Sequence, residues 1–339
     1  MKRANQFALI LTAFMLFFSC TQVGNVSNQE DSSTTKTAPA WTIDDVPVAA
    51  GVVMENRYPK TKISFPGGVI GYQDLVYQQI SGYRPQRLDL YLPADTTTAH
   101  PLIMYIHGGG WQNGHSRNSG AFDNWPATLA MLASRGYVVT SINYRLGGEE
   151  KFPAAIQDVK TAIRWLRANA GEYGIDKEKF MVWGASAGGH LAALAGTSAG
   201  VKELEPVNLP DELAAESDQV QATVCWYGIF DLTGMGEDGG PGGYFAGSAK
   251  LASPVNYVDE TDGAFLLIHG SEDPVIPYQQ SIDFNELLTA NNLKSSVHII
   301  PGVAHSFIGE SAESTKGASI EALQMVMDFV DDVFNQTNN

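Results

Sequence analysis

Cysteine is nearly absent. Cys20 and Cys225 are the only two in 339 residues, so no disulfide framework staples the chain. Basic residues are also scarce: 21 Lys and Arg stand against 37 Asp and Glu, a formal charge of −16. Proteins that grip nucleic acid present a basic face to phosphate, so DNA and RNA are excluded as partners. The sequence has no Cys/His cluster and no HExxH pattern, and no metal or organic cofactor is expected. There is no internal repeat. Only one apolar run is conspicuous, Phe7 to Phe18 broken by Thr12, and it is short for a membrane span. What remains is ordinary globular composition, 44% hydrophobic and 17% charged, which excludes general disorder.

The apolar run follows Lys2 and Arg3 and precedes Ser19 and Cys20. A basic start, an apolar middle and a small-residue end read as an export signal. Leu16-Phe17-Phe18-Ser19-Cys20 resembles a bacterial lipobox. That resemblance implies a leader over residues 1–19, a lipidated Cys20, and an exported lipoprotein of the bacterial cell envelope, facing the periplasm or the cell surface. Removing Lys2 and Arg3 takes the charge from −16 to −18. Residues 21–40 are rich in Ser, Thr, Gln and Asn and too polar to offset the entropy of ordering, so a flexible tether is expected over 20–60. Twenty such residues span about 25 Å as a coil. Cys225 lies in an apolar stretch and reads as an inert buried thiol.

From about residue 65 the pattern alternates strand and helix. Leu88, Leu90 and Leu92 alternate with Asp89 and Tyr91, as in a half-buried strand. Leu102–Ile106, Tyr137–Ile142, Phe180–Trp183, Ala222–Trp226, Phe265–Ile268 and Val297–Ile300 are short apolar runs. Unbroken apolar strands predict a sheet covered on both faces. Pro153 suits a first helical position, with Ile156, Val159, Ile163, Leu166 and Ala170 following at helical spacing. Ile320, Leu323, Met327, Val330 and Phe334 repeat that spacing, and Gly136 and Gly171 stand where helices would stop. Such alternation predicts an α/β fold with a mostly parallel central sheet flanked by helices. The glycine-rich stretch 229–262 breaks the pattern and reads as a short irregular cap, an excursion over the sheet's edge. One catalytic domain over 61–339 is expected.

Gly184-Ala185-Ser186-Ala187-Gly188 is a G-x-S-x-G pattern between an apolar strand and a helix-like run, the context of a nucleophile elbow. Small neighbours leave room for the sharp turn that exposes a serine. His107-Gly108-Gly109-Gly110-Trp111 follows another strand directly. Its glycines free the backbone to aim N–H groups at an oxyanion, so Gly109, Gly110 and Ala187 are the expected oxyanion donors.

A base must come from seven histidines. His269 and His298 lie in or at the end of strands, His190 packs beneath the elbow, and His107 belongs to the glycine loop. His100 and His115 precede the serine. His305 sits in a loop just past the last strand, where this architecture places catalytic groups. The orienting acid should fall between serine and histidine. Asp273, stiffened by Pro274 and Pro277, follows the strand Phe265–Ile268; Glu272 is its neighbouring alternative, and Asp231 lies in the excursion. Ser186, Asp273 and His305 each stand just past a different strand.

With these motifs the chain resembles the α/β-hydrolase superfamily, specifically the HGGG-type esterases related to hormone-sensitive lipase, from about residue 70 to 336. Ser141–Leu146, Phe152–Asp158 and Ala252–Val258 are similar to segments of bacterial acetylxylan and feruloyl esterases. The resemblance implies a serine ester hydrolase using Ser186, Asp273 and His305, with an acylated polysaccharide such as xylan as substrate. It also implies Trp111 as a wall of the acyl pocket; core packing is the other reading. A general short-chain carboxylesterase is the main alternative. A peptidase of the prolyl-oligopeptidase type usually carries a large gating domain, and a glycan-binding relic usually lacks a triad member. The excursion also lacks an amphipathic lid of the kind a lipase carries.

Overall fold

Each strand predicted from an apolar run is extended in the computed structural model, which describes residues 60–95, 97–235 and 238–334. The leader, Cys20 and all of the tether but Lys60 lie outside those residues. Among the described residues, nine strands form one sheet: β1 (Thr61–Ser64), β2 (Ile70–Gln78), β3 (Gln86–Leu92), β4 (His100–Ile106), β5 (Val138–Ile142), β6 (Ile175–Ala185), β7 (Ala222–Trp226), β8 (Ala264–Gly270) and β9 (Ser295–Ile300). Their order is β1-β2-β3-β5-β4-β6-β7-β8-β9. The pairings from β5 through β9 are parallel, and those joining β1, β2, β3 and β5 are antiparallel. This is the α/β-hydrolase fold, with long helices on both faces: α1 (Trp125–Ala133), α2 (Ala154–Ala168), α3 (Ala187–Thr197), α4 (Gln279–Ala290) and α5 (Ala312–Phe334).

Two apolar layers result. One joins α2, α3 and α4 to the sheet through residues such as Ile156, Ile163, Leu191 and Phe284. The other joins α1 and α5 through Leu129, Val326 and Val330 and holds Trp125, Trp183 and Trp226. Trp183 meets Trp226 edge to face at 4.6 Å between ring centroids, a favoured aromatic geometry. Cys225 is fully buried on β7, and burial pushes its thiol pKa up.

Several local expectations change. The Leu/Asp alternation of β3 predicted one wet face, yet both are buried. Asp89 is covered because the Arg117 guanidinium grips it at 2.6 and 2.8 Å, and a paired carboxylate tolerates burial. Pro153 is the residue before α2 rather than its first. Gly171 does not stop a helix; it lies within a single turn, Ala170–Tyr173, that ends at Gly174 in the left-handed region. Ile320 falls outside the buried stripe of α5 at 52% exposed.

The excursion also differs. It links β7 to β8, two strands in from the β9 edge, and packs on α3 and the glycine loop. Phe230, Leu232, Tyr244, Phe245 and Ala252 are buried in the same layer as α3. The Gln112 amide donates to the Pro241 carbonyl at 3.2 Å, and the Lys151 ammonium donates to that of Gly242 at 2.6 Å. The aromatic side chains of 229–262 find their partners far along the chain, Phe230 on Phe284 of α4, and Tyr244 and Phe245 on Trp111 and Phe152, which local periodicity does not reveal.

Candidate active site

The site forms past the carboxyl ends of β4, β6, β8 and β9. β6 ends at Ala185, α3 begins at Ala187, and Ser186 makes the turn with φ 56° and ψ −118°. The neighbours must be small. A Cβ on Gly184 would lie 2.0 Å from the Gly188 carbonyl oxygen, and one on Gly188 would lie 2.0 Å from that of Ile106. The Ser186 amide donates to the Trp226 carbonyl at 2.9 Å, which ties the elbow to β7.

His305 stands on a closed loop. Val303 bridges to Gly309, and Phe307 is buried against Trp226 and Tyr227. The loop aims His305 Nε2 at Ser186 Oγ, 2.9 Å away, and Nδ1 at Asp273 Oδ2, 2.7 Å away. Asp273 follows β8, and its Oδ1 accepts from the amides of Val275 at 2.8 Å and Ile276 at 2.9 Å. Burial favours the neutral acid, but hydrogen bonds from His269, His305 and the Ile276 amide outweigh it and hold the carboxyl well below the usual range. An Nδ1–H facing a carboxylate leaves Nε2 with a lone pair toward the serine. That arrangement can take the Oγ proton as the oxygen attacks.

The glycine run lies beside the serine: a Cβ on Gly108 would come within 3.3 Å of Ser186 Cβ. Gly109 and Gly110 have φ of 114° and 59°. Among the hydrogen bonds between described residues, none is donated by the amides of Gly109, Gly110 or Ala187. Three unspent donors beside a nucleophile can receive a developing oxyanion. The Tyr144 hydroxyl donates to the His107 carbonyl at 3.0 Å. Its neighbour Arg145 is locked to the buried Asp158 of α2 at 2.7 and 3.0 Å, so the loop rests on a fixed support.

Trp111 is 4% exposed. Its indole N–H donates to His190 Nδ1 at 3.3 Å, and its ring stacks on Tyr244 at 5.9 Å and meets Phe245 edge-on at 4.7 Å. Of its two readings, these contacts fit packing. His190 is fully buried, as expected; its Nε2–H donates to the Ala252 carbonyl at 2.7 Å, and burial pushes its pKa down to about 4. Glu272 is exposed, and Asp231 accepts from Thr233 within its own turn, so neither competes with Asp273.

Two neighbours were not singled out in the sequence. Tyr227, just past β7, meets the His305 ring edge-on at 4.8 Å, and His269 touches Asp273. Each ends an apolar strand and reads there as core. Backbone strain gives a signal only in three dimensions: among the eight described non-glycine residues with positive φ, Trp111, Ser186, Tyr227, Ser306 and Phe307 belong to these loops. Such clustering marks functional sites.

Fold and site together define an α/β-hydrolase with a serine–histidine–aspartate array. The chain belongs to the BD-FAE family, whose model matches residues 88–288. It is similar to Esterase LipC of Mycobacterium tuberculosis, 34% identical over 244 residues, 66% of this chain and 57% of that protein. The chain spans little more than half the length of the curated relatives it matches. Similar solved structures include Thermogutta terrifontis esterase 2 phosphorylated by paraoxon, at 26% identity and TM-score 0.66, covering 79% of this chain and 95% of that one. A truncated carbohydrate esterase from gut microbiota aligns at 28% identity and TM-score 0.61, covering 78% of this chain and 99% of that one.

Proposed function

We propose that the chain is a serine carboxylic-ester hydrolase that removes acetyl or feruloyl groups from plant polysaccharide, xylan above all. The observation that carries the chemistry is the run Ser186–His305–Asp273 at 2.9 and 2.7 Å beside three unspent amides. Ser186 attacks the ester carbonyl while His305 takes its proton. Asp273 holds the imidazole tautomer, and the amides of Gly109, Gly110 and Ala187 receive the oxyanion. His305 then protonates the departing alcohol, and water releases the acid from the acyl-enzyme.

Two observations favour a polymer-borne ester. The likeness to a carbohydrate esterase runs the length of that chain. Among the described residues of 229–262, the only helical pieces are three short turns, Thr233–Met235, Pro241–Gly243 and Pro254–Asn256, so the described part of this excursion contributes no long helix. The export signal and Cys20 support a lipid-anchored enzyme of the bacterial envelope.

The test is acid release from acetylated, feruloylated arabinoxylan, with acetate and ferulate quantified and Ser186→Ala as the blank. Release by the wild type alone supports a polysaccharide esterase. Cleavage of p-nitrophenyl acetate with neither acid released replaces the xylan reading with a small-ester carboxylesterase.

Gly109→Ala tests the oxyanion loop. Its Cβ would lie 2.1 Å from the Asn113 carbonyl oxygen, at a φ of 114° that alanine resists, so the loop must shift. Losing one donor is expected to cut kcat by about 10²–10³-fold. Steady-state kinetics on p-nitrophenyl acetate check this, and an unchanged kcat would remove Gly109 from the oxyanion hole.

A further inference from the structure

We infer that His269, backed by Ser281, is a positioning residue that holds Asp273 for His305. The inference rests on the serine-hydrolase reading of the site. His269 lies near the end of β8 and Ser281 in the first turn of α4; both are fully buried. His269 Nε2 lies 3.1 Å from Asp273 Oδ2 and 2.9 Å from the Ile276 carbonyl oxygen. Both are acceptors, so Nε2 carries the proton. Nδ1 then presents a lone pair to Ser281 Oγ at 2.8 Å, and a hydroxyl can donate there. A neutral imidazole with one defined tautomer satisfies every contact.

The geometry ties this residue to the reaction. Asp273 Oδ2 accepts from His305 Nδ1 and His269 Nε2 together, while Oδ1 accepts from two backbone amides. Ile276 donates its N–H to Oδ1 and accepts from His269 through its carbonyl. His269 thus closes the turn that carries the acid and shares the oxygen that orients the base. Without it, Oδ2 is freer to swing and its charge falls on His305 alone. The other groups facing Asp273 are His305 and the phenol of Tyr227, which burial keeps neutral; Glu272 is exposed.

Three variants test this in the full chain, with p-nitrophenyl acetate as substrate and active sites counted by paraoxon titration. His269→Phe keeps a ring but loses the donor. His269→Gln retains an N–H near the Nε2 position, and Ser281→Ala removes only the hydroxyl behind the ring. His269→Phe is expected to lower kcat per titrated site about tenfold or more, the scale of one hydrogen bond to a charged group, with KM unchanged. The acid limb of kcat/KM should move to higher pH, because a carboxylate bonded to His305 alone holds the imidazolium more tightly. His269→Gln should recover most of the kcat, and Ser281→Ala should shift both readouts in the same direction by less. Lower thermal stability with per-site kcat and the acid limb unchanged would mean mere packing and would overturn the inference. If His269→Phe fails to fold, Ser281→Ala decides by the same criteria. A wild type that cleaves no ester would defeat the serine-hydrolase reading itself, a different outcome.

Discussion

Replacing Ser186 with alanine should lower kcat for ester hydrolysis by about five to six orders of magnitude, as when a triad nucleophile is lost. The fold should survive, because alanine fits wherever serine does. Glycine at the same place should be equally inactive yet more stable than alanine. Ser186 is held at φ 56° and ψ −118°, a conformation that costs a residue with a Cβ about 1–3 kcal/mol. Glycine adopts it freely. Both variants lose the hydroxyl bonded to His305, so their difference reports the backbone alone. A gain of about 1 kcal/mol is about 2–4 °C in melting temperature for a domain this size. Glycine also loosens the unfolded chain, at a cost of about 0.4–1 kcal/mol, so a glycine variant that melts below the alanine one would show that the elbow stores no strain.

Asparagine at Asp273 should be nearly as damaging. Four N–H groups converge on this side chain: the amides of Val275 and Ile276 on Oδ1, and the rings of His305 and His269 on Oδ2. An amide offers one oxygen and turns its NH₂ on the remaining donors. If that NH₂ faces His305, the ring must accept at Nδ1 and carry its proton on Nε2, the wrong end for receiving one from Ser186. A kcat loss of about 10⁴-fold follows, the scale of a tautomer-inverting change in other triads. Stability should also fall, by about 1–3 kcal/mol for unpaired buried donors. The pH behaviour has a definite sign. A carboxyl whose folded pKa lies below its unfolded value stabilises the fold at any pH above the unfolded value. That contribution is lost only as pH falls toward the folded value. The part of the difference between wild type and Asp273→Asn that comes from the carboxyl's own ionisation should therefore be fully present across neutral pH and shrink only in acid, below about pH 4. Denaturant melts across pH and steady-state rates check both parts; a variant within tenfold of wild-type kcat would contradict this role for Asp273.

The parts of the site that could be read from sequence share one property: each is a local pattern next to an apolar strand. Ser186 sits between two glycines, Gly109 and Gly110 follow β4, and Asp273 and His305 open the loops after β8 and β9. The structure brings Ser186, His305 and Asp273 into one hydrogen-bonded run. The central strands were legible for the same reason, since burial on both faces demands unbroken apolar residues.

What escaped depends on partners far along the chain. β2 has no clean alternation because its pairing with β3 shifts register twice, and Asp74 within it has φ 56°. α4 buries only Ser281, Phe284 and Leu288, too few to mark a stripe. Tyr244 and Phe245 look like residues of a glycine-rich loop until they meet Trp111. His269 reads as a strand-end histidine because nothing in its neighbourhood announces that Asp273, four residues on, turns back to meet it.

The most direct measurement is mass spectrometry of the protein after reaction with paraoxon, read alongside residual activity on p-nitrophenyl acetate. The expected result is one phosphoryl adduct per chain, on the peptide that holds Ser186, with activity lost in proportion and no adduct on Ser186→Ala. Full hydrolysis by a protein left unmodified at Ser186, or equal labelling and turnover by Ser186→Ala, would contradict a serine acyl-enzyme at this site.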